Sequence, residues 1–154
     1  MKIKLTIYGE AASKANSRVP VPRVSKDGKP YVQFVRSEKA YKFAKDALRQ
    51  IPPTARVRLQ GPVKVTMRIF YASERPDLDA SVVLDCLQDR YHGKGEARAL
   101  VQKGIIRNDR QVRELHLFHA IDRGNPRAEI EVEALAPQQA PMPLPAPELA
   151  EEPF

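Results

Sequence analysis

Ile3, Leu5 and Ile7 alternate with Lys2, Lys4 and Thr6, the period of a strand with one buried face. A long basic loop over 9–30 follows, in which Asp27-Gly28 is a turn signal before a second strand around Tyr31–Val35. Ser37 is placed to cap a helix on which Ala40, Tyr41, Ala44, Ala47, Leu48 and Ile51 recur at helical spacing, and Pro52-Pro53 stops it. Val63, Val65, Met67, Ile69 and Tyr71 alternate over the clearest strand in the chain. A second helix is expected from near Asp79 through Val83, Cys86 and Leu87 toward Tyr91, and a basic, glycine-containing segment from His92 to Gly104. Val112–Ile121 and Ala128–Leu135 read as a hairpin around Gly124-Asn125-Pro126, with Ile130 and Val132 facing in and Glu129, Glu131 and Glu133 facing out. The order β-β-α-β-α-β-β predicts a small α+β domain, a mixed β-sheet with two main helices.

Composition divides the chain. Residues 136–154, APQQAPMPLPAPELAEEPF, hold six of the 14 prolines and three glutamates but no Lys or Arg. Such a stretch has no apolar period and is expected as an extended, mobile, Pro-rich acidic tail, leaving 1–135 as the folded domain. The whole chain carries +7, and setting aside those three glutamates raises this to +10 over 1–135. With 42% hydrophobic residues the 154-residue chain can bury a core. No apolar run suits a membrane-spanning helix, and Met1 leads into alternating Lys2-Ile3-Lys4-Leu5 rather than an apolar signal core. A lone cysteine, Cys86, excludes an internal disulfide and a cysteine-based zinc finger. The expectation is a cytoplasmic protein with an anionic partner, nucleic acid foremost.

Carboxylates gather against this basic background. Arg75-Pro76-Asp77-Leu78-Asp79 follows the best strand, and Asp109 stands in Gly104-Ile105-Ile106-Arg107-Asn108-Asp109-Arg110-Gln111-Val112. In an extended segment i and i+2 point the same way, so Asp77 and Asp79 can face one point. Clustered aspartates repel unless a cation lies between them, and Mg2+ favours such oxygen ligands together with waters and phosphate oxygens. Asp-x-Asp is equally common at helix starts, where Asp79 would serve as N-cap. His116 and His119, three apart on a strand, face opposite sides and do not share a metal. Asp85 reads as a helix-surface charge and Cys86 as a small core residue.

Asp77-Leu78-Asp79 before a helix carrying Asp85-Cys86-Leu87, followed by the Gly104–Val112 block, resembles the RusA family of Holliday-junction resolvases. That family shows an Asp-Leu-Asp-Asn helix start and a later Gly-x-x-x-Asp-Asp-x-Gln-Val block. Ser13-Lys14-Ala15-Asn16-Ser17-Arg18 resembles its Ser-Asn-Asn-Arg loop, and the likeness spans 1–135 with two residues missing in the helix. It implies a RusA-like fold and a homodimeric, Mg2+-dependent endonuclease, of bacterial or phage-infected cells, that nicks four-way DNA junctions. Asp77, Asp79 and Asp109 match its three essential acidic positions, as catalytic and metal-holding groups. The family's catalytic lysine falls at Val83, leaving Lys14, Lys94, Arg98 and Lys103 as basic groups that could stand in. Lys14, Asn16, Arg18 and Arg23 in the long loop suit phosphate contact. Arg75, Arg107 and Arg110 flank the acidic residues and, with Lys94 and Lys103, complete the candidate DNA-binding set. Two alternatives accompany this reading: a junction binder with little or no cleavage, and an adaptor recruiting replication or repair partners. The adaptor rests on Glu151-Glu152-Pro153-Phe154, which resembles the C-terminal tip of bacterial single-stranded-DNA-binding proteins.

Overall fold

The computed structural model describes residues 1–13 and 18–136. The Lys14 and Asn16 expectations lie outside them, as does the expected tail from residue 137 onward. The strands are β1 (Lys2–Tyr8), β2 (Arg18–Val24), β3 (Pro30–Arg36), β4 (Val63–Tyr71), β5 (Arg90–His92), β6 (Ala99–Gln102), β7 (Val112–Ile121) and β8 (Arg127–Ala134). Two α-helices, α1 (Glu38–Gln50) and α2 (Ser81–Leu87), complete a mixed α+β fold.

One sheet carries the domain, in the order β1-β8-β4-β7. β8 runs antiparallel to both β1 and β4, and β7 runs parallel to β4. Both final strands lie where expected, but they do not form a hairpin, because β4 lies between them. The outward charges supply the physical reason. In its observed place Glu131 meets Lys2 and Lys4 of β1 and Glu133 meets Lys64 of β4. Beside β7 the same glutamate row would meet Glu114, His116 and Phe118, and like or neutral cross-strand pairs are the poorer choice. The short 122–126 connection instead steps across the end of β4. Asp122 N–H donates to Tyr71 O at 2.9 Å, and Gly9 N–H to Pro126 O at 2.9 Å.

The inward face of the sheet buries Ile7, Val63, Val65, Met67, Ile69, Tyr71, Ala128, Ile130 and Val132 in one cluster with Ala40, Phe43, Ala44 and Ala47 of α1 and Val82, Val83, Cys86 and Leu87 of α2. α1 begins as expected, with Ser37 Oγ accepting from Ala40 N–H at 3.2 Å, and its last turn closes through Ile51 N–H to Ala47 O before Pro52. Tyr41, expected on the apolar face, is instead 64% exposed, and Phe43 takes the core position. The small alanines at 40, 44 and 47 let the helix lie close to the sheet, and Tyr41 falls beyond that narrow stripe.

Three strands appear where none was expected: β2 and β6 in expected irregular chain, and β5 at the end of the expected second helix. β2 forms within the 9–30 loop and pairs with β3 around the Ser25–Lys29 turn. Its Pro20 and Pro22 share one parity, so their missing N–H groups fall on the open edge of a two-stranded ribbon. α2 stops at Leu87, short of Tyr91, because Leu87 O accepts from Ile105 N–H at 2.8 Å and the returning 104–106 segment captures the chain. Only glycine fits at 104: a Cβ there would lie 2.4 Å from Gln88 C. β5 and β6 then form a small arm. Its root is Asp89, whose side chain is fully buried and accepts from Arg58 Nε at 2.8 Å, from Gly104 N–H at 2.8 Å and from Tyr91 OH at 3.5 Å. Among the described residues no helix is long and apolar enough to cross a membrane.

Candidate active site

Tyr71, the last residue of β4, points into the core yet keeps its hydroxyl engaged with the segment that folds back over it. That hydroxyl donates to Asp77 O at 3.1 Å and accepts from Asp79 N–H at 3.2 Å, so one phenol pins both ends of Asp77-Leu78-Asp79. Burial pushes the phenol above its ordinary pKa. The Asp79 N–H opposes the rise, while the charges of Asp79, Glu10 and Asp77 reinforce it. Glu10 accepts from Ala72 N–H at 2.7 Å and pairs with Lys39. Burial opposes its ionisation, but those two donors outweigh burial and hold its carboxyl below the ordinary value.

Asp79 also bonds to Ser81, the first residue of α2. Its Oδ1 accepts from Ser81 N–H at 3.0 Å and from Ser81 Oγ at 2.8 Å. One carboxylate oxygen carries the backbone bond, while the side chain stays partly exposed and Asp77 is exposed.

Asp109 occupies a tightly tied turn before β7. Asn108 Oδ1 accepts from Arg110 N–H at 3.0 Å. Gln111 Oε1 accepts from Arg107 N–H at 2.7 Å, and its Nε2 donates to Leu59 O at 2.7 Å and Gly61 O at 2.8 Å. Every polar atom of the Gln111 amide is thus used to fix this turn against the 59–61 segment, a structural role for that motif residue. Asp109 itself is exposed.

Asp85 of α2 links the two acidic segments. Burial raises its pKa, Arg36 lowers it, Asp109 raises it, Arg18 lowers it and Asp79 raises it, in descending order of effect. Asp85 therefore sits in the field of both Asp79 and Asp109, with Arg36 Nη2 3.4 Å from its carboxylate. Among the described residues, however, no three His, Cys, Asp or Glu side chains approach closely enough to hold a metal ion together. Asp77 and Asp79 are joined through Tyr71; Asp109 is related to them only through the charge that it and Asp79 each exert on Asp85. The donor chemistry fits Mg2+, which is commonly held by one or two carboxylates, with waters and substrate phosphates completing its shell.

The expected basic residues spread around this centre. Arg75 is exposed in the same loop as Asp77, and Arg107 and Arg110 are exposed on either side of Asp109. Arg18 opens β2, within the field of Asp85. Lys94 lies exposed in the turn of the β5–β6 arm, and exposed Lys103 follows β6, its carbonyl accepting from Arg56 Nη1 at 3.2 Å. Val83 is wholly buried, so the position matched to the family lysine belongs to the core. Cys86 is buried too; burial raises its thiol to about 11, leaving it un-ionised near neutrality.

Sequence reasoning missed Tyr71, Glu10, Asp85 and His119 as members of this neighbourhood. The one local signal was a tyrosine ending an otherwise aliphatic row. His119 stacks on the Tyr71 ring with centroids 5.2 Å apart, a contact that exists only because β7 lies beside β4. His116, in register with Thr66, lies on the other face of the sheet, as its spacing from His119 required. No protein-family model and no curated protein matches the chain.

Tyr71→Phe keeps the packing and removes the one hydroxyl that holds Asp77 and Asp79. The expected loss is about 1–3 kcal/mol of unfolding free energy, from an unpaired Asp79 N–H and Asp77 C=O, measured by urea denaturation. A stability equal to wild type would show that the segment is held by other contacts.

Proposed function

We propose that this chain is a homodimeric, Mg2+-dependent, structure-specific endodeoxyribonuclease that binds and resolves four-way DNA junctions in recombination and repair. The observation that carries the reading is the Asp77–Asp79 segment pinned on Tyr71, with Asp85 and Asp109 in the same electrostatic neighbourhood, on a body that is otherwise basic. The RusA-like order of motifs supports it. Mg2+ held by one or two of Asp77, Asp79 and Asp109, with waters and substrate phosphate completing its shell, would supply a water of lowered pKa and neutralise charge on the scissile phosphodiester. The chain's own part is placement. Tyr71 and Ser81 hold the carboxylates in position, Gln111 holds the Asp109 turn, and Arg75, Arg107 and Arg110 grip flanking phosphates through guanidinium forks.

A second reading, a junction binder with little cleavage, is favoured by the lack of a closed three-carboxylate group among the described residues and by the buried valine at position 83. A labelled synthetic four-way junction separates the two. Paired nicks that need Mg2+ and vanish with chelator are the expected result. Tight junction binding with no nicks in Mg2+ or Mn2+ leaves the binder, and no preference for junction over duplex removes both.

A further inference from the structure

α1, α2 and the β5–β6 arm enclose a cleft of about 620 Å³, within the roughly 300–1,000 Å³ of small-ligand sites. Its walls carry Arg36, Lys45, Arg49 and Arg90 against a single carboxylate, Asp85, which already pairs with Arg36. Two tyrosines line the same space, Tyr41 at 64% and Tyr91 at 44% exposure. We propose that this cleft binds an unpaired DNA strand, with bases stacked on Tyr41 and Tyr91 and phosphates held by the four surrounding cations. The proposal rests on the reading that the partner is DNA and narrows it to branched DNA bearing a single-stranded segment.

The residue types are those a single strand requires. Every base offers a π face, so aromatic rings beside a cationic track bind single strands with little regard for sequence. Tyr41, Lys45 and Arg49 recur every four residues along one face of α1, placing ring and cations in a row. Tyr91 is held in place: Arg98 covers it with the guanidinium carbon 4.1 Å from the ring centroid, and its hydroxyl reaches buried Asp89. Gln102, also on the wall, has a buried Oε1 with no hydrogen-bond partner among the described residues. A recess of this size takes an unstacked base, whereas a duplex has to remain outside it. Asp85 belongs both to the cleft and to the field of Asp79 and Asp109, so a strand lying here runs past the candidate active site. The partner strand at a fork or flap, unpaired beside the branch point, is the segment such a cleft would hold.

The test is fluorescence anisotropy of the full chain with labelled oligothymidylate and with a blunt duplex, in chelator so that nothing is cut. Tyr41→Ala and Tyr91→Ala are each expected to weaken oligothymidylate binding by about 5- to 150-fold, as loss of one stacked base does, while duplex binding stays near wild type. Tyr41→Phe and Tyr91→Phe are expected to bind as wild type, because the π face remains. Lys45→Gln with Arg49→Gln is expected to reduce the salt slope for the single strand by roughly 0.7 for each cation removed. Unchanged oligothymidylate binding by the alanine variants overturns the proposal, and so does an equal loss for both DNA forms. Tyr41 is exposed enough that its alanine variant decides the matter alone if Tyr91→Ala fails to fold. The readout is binding without metal, so a wild type that holds oligothymidylate through these rings yet never nicks a junction refutes the nuclease reading and leaves the cleft standing.

Discussion

Asp79→Asn is expected to leave the protein folded and bound to a four-way junction while lowering the nicking rate on the order of 10²–10³-fold, the scale seen when one preorganised electrostatic contact to a transition state is removed. Asparagine suits this test because its side chain supports the same local turn to a residue two on as aspartate does. Its side-chain oxygen can still accept from Ser81 N–H, which Asp79 Oδ1 does at 3.0 Å. The substitution therefore removes the charge and keeps the bond to Ser81. Asp79→Ala removes both, and is expected to lose about 1 kcal/mol of stability in addition. Single-turnover cleavage of a labelled junction, with binding measured beside it, reads the two roles apart. If Asp79→Asn nicks as fast as wild type, Asp79 serves only the turn to Ser81 and the acidic-site reading fails there. Asp77→Asn, at an exposed position whose hydrogen bond to Tyr71 uses only the main-chain carbonyl, is expected to lose activity similarly with no change in stability.

Asp89→Ala carries the largest expected structural effect. The carboxylate is wholly buried, and its loss strands a partly buried Arg58 guanidinium and the Gly104 N–H, which it holds at 2.8 Å each. Removing one partner from such a buried pair costs roughly 3 kcal/mol or more, and thermal and urea unfolding should report it. Asp89→Asn keeps an acceptor for Gly104 and is expected to cost less. The arm also carries Tyr91, so the alanine variant is expected to weaken oligothymidylate binding as well. A loss below about 1 kcal/mol would mean that the arm is anchored chiefly by the Leu87–Ile105 pairing instead.

Parts of this architecture were legible in the residues themselves. The alternation of β4, the Ser37 cap, the alanine stripe of α1 and the proline stop after Ile51 are local, so a short window contains their cause. Asp77, Asp79 and Asp109 stand out in type and spacing against a basic chain, but the structure ties the first segment to Tyr71 and the turn of Asp109 to the 59–61 segment, and no three such side chains gather among the described residues. The β2 strand was hidden by Pro20 and Pro22, whose prohibition applies only to strands hydrogen-bonded on both edges. The β5–β6 arm was hidden by its exposure: with hardly any residue buried, it shows no apolar period to read. Tyr41 was misplaced because helical spacing marks a face of α1 but not how wide the covered stripe is.

Face, by contrast, does not specify neighbour. Hydrophobic alternation along β8 determines which side chains turn inward, and Ala128, Ile130 and Val132 obey it, whereas edge strand β7 buries no residue fully and packs only Val112 and Leu117 against the core; alternation alone does not choose the strand alongside. Their separation by β4 was decided in three dimensions, where the Glu131 and Glu133 row meets lysines on β1 and β4. The same long-range choice brings His119 onto Tyr71, and the burial of Tyr71 lets its hydroxyl hold Asp77 and Asp79. By itself the sequence determined α1 and the positions of β1, β3, β4, β7 and β8, with the inward rows of β4 and β8. Strand order, the bridging role of Asp85 and the tyrosine-lined cleft were decided by the tertiary structure alone, because each depends on groups that are distant along the chain and adjacent only after packing.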